Sequence, residues 1–240
     1  MLPEYKKVVN YTFDEEYPVP DKLEFMNQFN PVDLSHKPLH PSVTSVIKRL
    51  IDIIGAIVGL IITGIVTIPV AIATMISDSG PIFYSQIRCG LNGETFRIWK
   101  FRSMVVGADK LKHLVENEAT GPIHKAKEDP RITPVGKILR RTSLDELPQF
   151  WNVLIGDMSL VGTRPPTLDE VNQYQPHHWE RLRVKPGITG EWQANGRSSI
   201  KDFEVIVSMD VDYQQKWSVL YDIKLIAKTI AKVLLSKDAY

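Results

Sequence analysis

Between Ile53 and Ile76 this chain carries no charged residue, and no other feature limits its folding so strongly. A membrane-spanning helix needs about 20 apolar residues, so the run is long enough to enter hydrocarbon. The alternative is the buried core helix of a soluble protein. Such helices keep a polar stripe, whereas this one is apolar all round. Gly55, Gly59 and Gly64 recur near helical spacing and permit close helix contact. Pro69 has no N–H, so the carbonyl of Ile65 loses its helical donor and the helix bends there. In hydrocarbon that carbonyl needs another donor, and Thr63 and Thr67 are nearby hydroxyls. Basic residues flank the run on both sides: Lys48 and Arg49 before it, Arg88, Arg97, Lys100 and Arg102 after it. Both flanks prefer the cytoplasm. A bent hairpin re-entering its own face satisfies both, while a straight span strands one outside. The residues alone leave both topologies open.

The 240 residues are 43% hydrophobic and 24% charged with net charge +1, which fits one globular domain with additions. That balance gives no argument for nucleic acid. Cys89 is the only cysteine, so neither a disulfide framework nor a zinc cluster of cysteines is available, and a reducing compartment fits. No histidine stands in an HExxH pattern, which argues against a zinc hydrolase. Residues 1–45 are rich in proline and read as a mobile or extended arm with no secretory signal. Residues 46–78 form the membrane segment, and 79–240 read as an α-rich domain with short strands. "PIFYSQIRCG" and "TFRIWKFRSM" flank the turn "GLNG" as a hairpin. A helix is expected near Ala108 to Glu118, and a basic helix after Pro134. Near the end, Leu220, Ile223, Ala227, Ile230 and Leu234 share one face, and Lys224, Lys228 and Lys232 another. That helix either packs on the core or lies at an anionic lipid surface.

"RRTSLDELPQFWNVLIGDMSLVGTRPP", Arg140 to Pro166, concentrates the chemistry. Its "SLDE" reads as a capping box, with Ser143 as cap and Glu146 closing it. Alternatively Asp145 is the cap, which puts Pro148 in the tolerant first turn. Either way Asp145 and Glu146 stand at a helix start that favours anions. Arg140 and Arg164 offer planar forks for phosphate. Carboxylates beside them suit a divalent metal with oxygen ligands, with Asp157 as a further candidate ligand. A carboxylate can also attack phosphorus itself. Lys185, Gln193, Asn195 and Arg197 follow on a glycine-rich frame that suits phosphate or a base. No P-loop or GxGxxG is present, so nucleotide binding by those routes is out.

"KFRSM", "DPRITPVGKILRRTSLDELPQFWNVLIGDMSLVGTRPP" and "KPGITGEWQANGR" closely resemble the bacterial sugar transferase family, the monotopic polyprenyl-phosphate phosphoglycosyl transferases. The resemblance runs from roughly Ile47 to Leu235. It implies an α+β, mostly helical fold. A single bent re-entrant membrane helix joins a compact cytoplasmic catalytic domain with a small β-hairpin and interfacial amphipathic helices. It implies transfer of a sugar 1-phosphate from a nucleotide diphosphate sugar, usually a UDP-sugar, to undecaprenyl phosphate at the bacterial inner membrane. Both termini are then cytoplasmic, and a homodimer is allowed. By resemblance Asp145 is the nucleophile, Glu146 its partner, and Mg2+ bridges them to the diphosphate. Lys100 and Arg102 of "KFRSM" join the substrate-binding set. The family's kink pair Ser-Pro is Ile68-Pro69 here, so the serine is absent; its "PRP" loop is Thr163-Arg164-Pro165, so the first proline is lost. Larger relatives carry more membrane helices before this core, and this chain looks like the short form. Two rival readings are a metal-dependent diphosphate hydrolase and an inactive membrane scaffold.

Overall fold

The structure, a computed structural model, describes residues 38–126, 128–196 and 200–235. The expected arm therefore lies almost wholly outside the described residues, as does Arg197.

A single turn, α1 (Pro41–Thr44), is capped by the His40 ring, which accepts the Ser42 N–H. Ser45 then caps α2 (Val46–Ser77) by accepting the Lys48 N–H. At 32 residues α2 is about 48 Å long. It continues through Pro69. Thr63 Oγ1 donates to Gly59 O and Thr67 Oγ1 to Thr63 O, both at 2.7 Å. Neither serves the Ile65 carbonyl, because a helical hydroxyl reaches back three or four residues. The position from which one would reach it is 68, and Ile68 has none.

One stripe of α2 is covered almost from end to end, by way of Lys48, Asp52, Ala56, Gly59, Val70 and Thr74. The other is open and apolar, with Ile65 68% and Ile76 82% exposed. A soluble core helix does not leave such a surface bare, so α2 marks association with a membrane. The basic residues at its ends bind the domain. Lys48 Nζ lies 2.6 Å from Asp222 Oδ2 and 3.0 Å from Val161 O, in a buried pocket. Asp52 accepts from Ser159 Oγ and the Leu160 N–H, both at 2.9 Å. Arg49 donates to Val153 O and Leu154 O at 2.7 Å each. At the far end Arg102 pairs with Asp78, the C-cap of α2, at 2.5 Å and donates to Pro81 O at 2.6 Å. Both ends of the apolar helix are thus tied to one folded unit.

Two of the three glycines of α2, Gly55 and Gly59, serve this packing. A Cβ on Gly59 would fall 2.3 Å from the Phe150 ring, whereas one on Gly64 meets nothing within 4 Å. Gly64→Ala should therefore gain helix propensity, up to about 1 kcal/mol, and raise the melting temperature in detergent. Gly59→Ala should lower it, because overpacking costs about 1–3 kcal/mol. Shifts of the same sign would show that Phe150 is not closely packed on Gly59.

The hairpin forms as expected. β1 (Phe83–Cys89) pairs antiparallel with β2 (Thr95–Phe101), Phe83 facing Phe101 and Cys89 facing Thr95. Its turn uses positive φ at Asn92 and Gly93. The stretch after Ala108 is a short 3-10 helix ending at Leu114. There follow α3 (Pro134–Arg141), α4 (Gln149–Ile155), β3 (Ser159–Val161) and α5 (Leu168–Val171). β4 (Gly187–Thr189) lies parallel to β3, a pairing not anticipated from sequence because each strand has three residues. α6 (Glu191–Asn195), α7 (Phe203–Lys216) and α8 (Val219–Leu235) complete a mostly helical fold.

Two of the hydrophobic clusters lie between α2 and the domain, and others lie within the domain. Ala56 packs with Phe96, Ile98, Val153 and Met158, and Val70 with Phe101 and Leu139. On α8 the stripe of Leu220, Ile223, Ala227 and Ile230 faces outward, so it does not pack on the core as one reading had it. The domain takes Asp222 and Leu225 instead, since Asp222 accepts from Tyr213 Oη and Trp217 Nε1 as well as Lys48.

Candidate active site

Thr133 caps α3, and the helix carries Arg140 in its last turn. Ser143 then reverses the chain at φ 57°, a left-handed conformation that non-glycine residues reach at some cost. Leu144–Glu146 forms a 3-10 turn leading through Pro148 into α4. Neither expected cap forms. The Ser143 side chain makes no cap bond, because its left-handed backbone turns it away, and α4 begins only after Pro148 with no side-chain cap. The turn is held from below instead. Leu144 and Leu147 pack on Val70, Phe101 and Leu139, and Thr63 Oγ1 of α2 donates to Leu147 O at 3.2 Å. The carboxylates therefore ride directly on the apolar helix.

They face a cavity of about 430 Å³. Asp145 and Glu146 line one part, and Lys100, Arg140, Arg164 and Gln193 also line it. Lys100 Nζ lies 3.0 Å from Glu146 Oε1. Because β3 and β4 run parallel, the segments after them leave at the same end. That brings Arg164 to the α6 residue Trp192, with its guanidinium carbon 5.8 Å from the ring centre. Lys125 Nζ lies 4.7 Å from the same ring. Burial, then the charges of Arg164 and Lys201, depress the Lys125 amine to about 8.

Four expected site residues lie elsewhere. Arg102 is committed to Asp78 and Pro81 at the end of α2. Lys185 Nζ donates to Gly156 O at 2.7 Å, at the C-terminal end of α4. Asn195 turns back to Glu191 and Lys228. Asp157 accepts from Asn152 at 3.1 Å, beyond the end of α4 opposite Asp145. Seven helical residues, about 10 Å, separate the two carboxylates, so Asp157 does not join Asp145. Pro69 lies outside the cavity, on the membrane helix.

Other residues complete the wall and escaped the sequence reading. Arg88 donates to Pro165 O at 3.1 Å and the Cys89 N–H to Pro166 O at 3.0 Å, fixing the loop that presents Arg164. Burial and then the Arg164 charge lower the Arg88 pKa. On sequence Arg88 looked like a membrane flank. Gln149 and Trp192 also line the cavity. Four of the wall's buried polar atoms find no hydrogen-bond partner among the described residues: Arg88 Nε, Gln149 Nε2, Trp192 Nε1 and Gln193 Oε1. Buried polar groups are ordinarily satisfied, so such a concentration suits bound water or a polar ligand.

A second cluster joins His177, His178 and Glu204, whose ligand atoms lie within 4.8 Å of one another. His178 Nδ1 accepts the Gln175 N–H at 2.9 Å, so its Nε2 carries the proton and donates to Glu204 at 2.8 Å. A metal-bound imidazole needs the reverse, a protonated outer nitrogen, so this cluster reads as a structural hydrogen-bonded pair.

A family model described as bacterial sugar transferase matches residues 43–236. Galactosyl transferase CpsE of Streptococcus agalactiae serotype III (strain NEM316) is 54% identical over 194 residues, covering 80% of this chain and 43% of that protein. UDP-glucose:undecaprenyl-phosphate glucose-1-phosphate transferase of Escherichia coli (strain K12) is 41% identical over 227 residues, 91% of this chain and 47% of the relative. Exopolysaccharide production protein ExoY of Sinorhizobium fredii (strain NBRC 101917 / NGR234) is 39% identical over 199 residues, 80% of this chain and 88% of the relative. The chain thus spans under half the length of the first two relatives and most of the third.

Proposed function

Because the chain belongs to the bacterial sugar transferase family, we propose that it transfers a sugar 1-phosphate from a UDP-sugar to undecaprenyl phosphate and releases UMP. One observation carries this reading. Adjacent carboxylates share a cavity with Lys100, Arg140 and Arg164, on a turn that rests against an exposed apolar helix. A water-soluble anionic donor and a lipid phosphate can both reach such a place.

The chemistry follows from the side chains. A carboxylate oxygen of Asp145 attacks the phosphorus that bears the sugar. The bond from that phosphorus to the oxygen of UMP breaks, and UMP leaves with the electron pair. An oxygen of the lipid phosphate then attacks the same phosphorus, and Asp145 departs as a carboxylate. Both leaving groups and both nucleophiles are anions, so neither step needs a proton. Arg140 and Arg164 lie where forked donors can neutralise the charge on the moving phosphoryl group. Lys100 holds Glu146 in place.

Asp145 and Glu146 are neighbouring oxygen donors, a set that suits Mg2+. Asp129 also lines the cavity, but Arg131 occupies its two oxygens at 2.9 and 2.7 Å, so it is not counted. When bound, the ion offsets diphosphate charge.

The same proposal places the domain on the cytoplasmic face of the inner membrane, with α2 entering and leaving by that face and the outward stripe of α8 at the lipid surface. The attachment of both ends of α2 to one domain supports it. In a Cys89→Ser background, Thr44→Cys and Lys201→Cys should both resist an impermeant thiol reagent on intact cells and label after lysis. Labelling of either site in intact cells would sink the one-face topology.

The assay that tests the reaction combines the purified protein in detergent with UDP-glucose or UDP-galactose, Mg2+ and undecaprenyl phosphate. Lipid-dependent UMP release with a lipid-linked sugar phosphate is expected. Free sugar phosphate formed without lipid would indicate a hydrolase, and no turnover with any nucleotide sugar an inert anchor.

A further inference from the structure

Gln149 opens α4, is 2% exposed, and lines the cavity with an Nε2 that has no hydrogen-bond partner among the described residues. It follows Asp145 by four residues. The backbone between them stays helical, from the 3-10 turn through Leu147 and Pro148 into α4. One helical turn therefore separates the two, and both line the same cavity. The next buried residue of α4, Asn152, fixes its rotation. It donates to Arg97 O at 2.7 Å and accepts the Trp99 N–H at 3.2 Å. Gln149 therefore cannot easily turn away to find a partner in the core.

A buried donor with nothing to bond is a standing cost to the fold, and removing it is neutral or stabilising unless a ligand uses it. The amide nitrogen has only protons to offer, so its complement is an acceptor oxygen. The acceptors brought nearest to Asp145 by the proposed reaction are the non-bridging oxygens of the phosphoryl group under attack. We propose that Gln149 Nε2 donates to a phosphoryl oxygen of the bound sugar phosphate, both in the donor complex and in the aspartyl intermediate. The contact rests on the reading of the previous subsection and adds a neutral donor to the arginines. A neutral donor has a specific use here. It stabilises charge developing on the phosphoryl oxygens without pairing permanently with the Asp145 carboxylate, as a further cation in that place would.

Gln149→Met keeps the length of the side chain and removes the amide. It should hold or raise the melting temperature of the ligand-free protein. It should also lower turnover by roughly 100- to 1,000-fold, the range for loss of one preorganised donor. The melting shift produced by UDP-glucose should shrink with it. Gln149→Glu puts a carboxylate against the phosphoryl oxygens and should be more severe. A Gln149→Met protein that melts well below wild type would show that the amide is structural, and the contact would be dropped. Equal turnover and an equal UDP-glucose shift in variant and active wild type would overturn the contact alone. A wild type that neither transfers nor responds to UDP-glucose or UDP-galactose would overturn the reaction, and the contact with it.

Discussion

Asp145→Asn is expected to abolish transfer, lowering turnover by at least about ten-thousand-fold, while the melting temperature stays close to wild type. The exchange is isosteric and Asp145 is already buried, so little packing changes. What is lost, on the proposed mechanism, is the nucleophilic oxygen. An amide oxygen is a far weaker nucleophile, and its adduct with phosphorus would carry a positive charge beside Lys100 and Arg140. The partial reaction isolates the step. With wild type, labelled UMP should exchange into UDP-glucose without any lipid, because the first transfer is reversible and precedes the second. Asp145→Asn should show no exchange. Exchange in wild type that strictly requires undecaprenyl phosphate would mean direct transfer between the two substrates, and the covalent step would fall.

The second large effect concerns Lys48, which is 5% exposed and 2.6 Å from Asp222. Lys48→Met leaves the Asp222 charge buried with Tyr213 and Trp217 as its remaining side-chain donors among the described residues. Removing one member of a buried pair costs about 3–5 kcal/mol, on the order of 10 °C in a protein of this size. Lys48→Met combined with Asp222→Asn should recover part of the loss, since the stranded charge goes while the acceptor stays. A single variant as heat-stable as wild type would show that the pair does not hold α2 to the domain.

These two residues illustrate what the sequence could and could not convey. That Asp145, Glu146 and Arg140 would share one cavity was legible because they lie within seven residues of one another, and the apolar run because its length has a direct physical meaning. In the sequence Lys48 is legible only as a basic flank of the apolar run, and Arg102 as a flank and a substrate-binding candidate. Nothing local announces that Lys48 will meet Asp222 or that Arg102 will close on Asp78. Asp157 was grouped with Asp145 by proximity in sequence, yet the intervening helix carries it to the opposite end. Gln149 was hidden by being an ordinary helix former. Its position four residues after Asp145 gains meaning only once the backbone between them is known to be helical. The parallel pairing of β3 with β4, which brings Arg164 to Trp192, depends on contacts across about 25 residues of chain, beyond the reach of local pattern.

The attachment of α2 also sets an order of events during synthesis. Lys48 is separated from its partner Asp222 by 174 positions. At roughly 5–20 residues per second, the apolar helix is made some ten to thirty seconds before the carboxylate that will neutralise its buried lysine. Through that interval its exposed isoleucines can rest in lipid, but Lys48 and Asp52 have only water or headgroups to answer them. Closure of the Lys48–Asp222 pair is therefore a late event in synthesis, and the segments made between the two residues have to find their own packing before it.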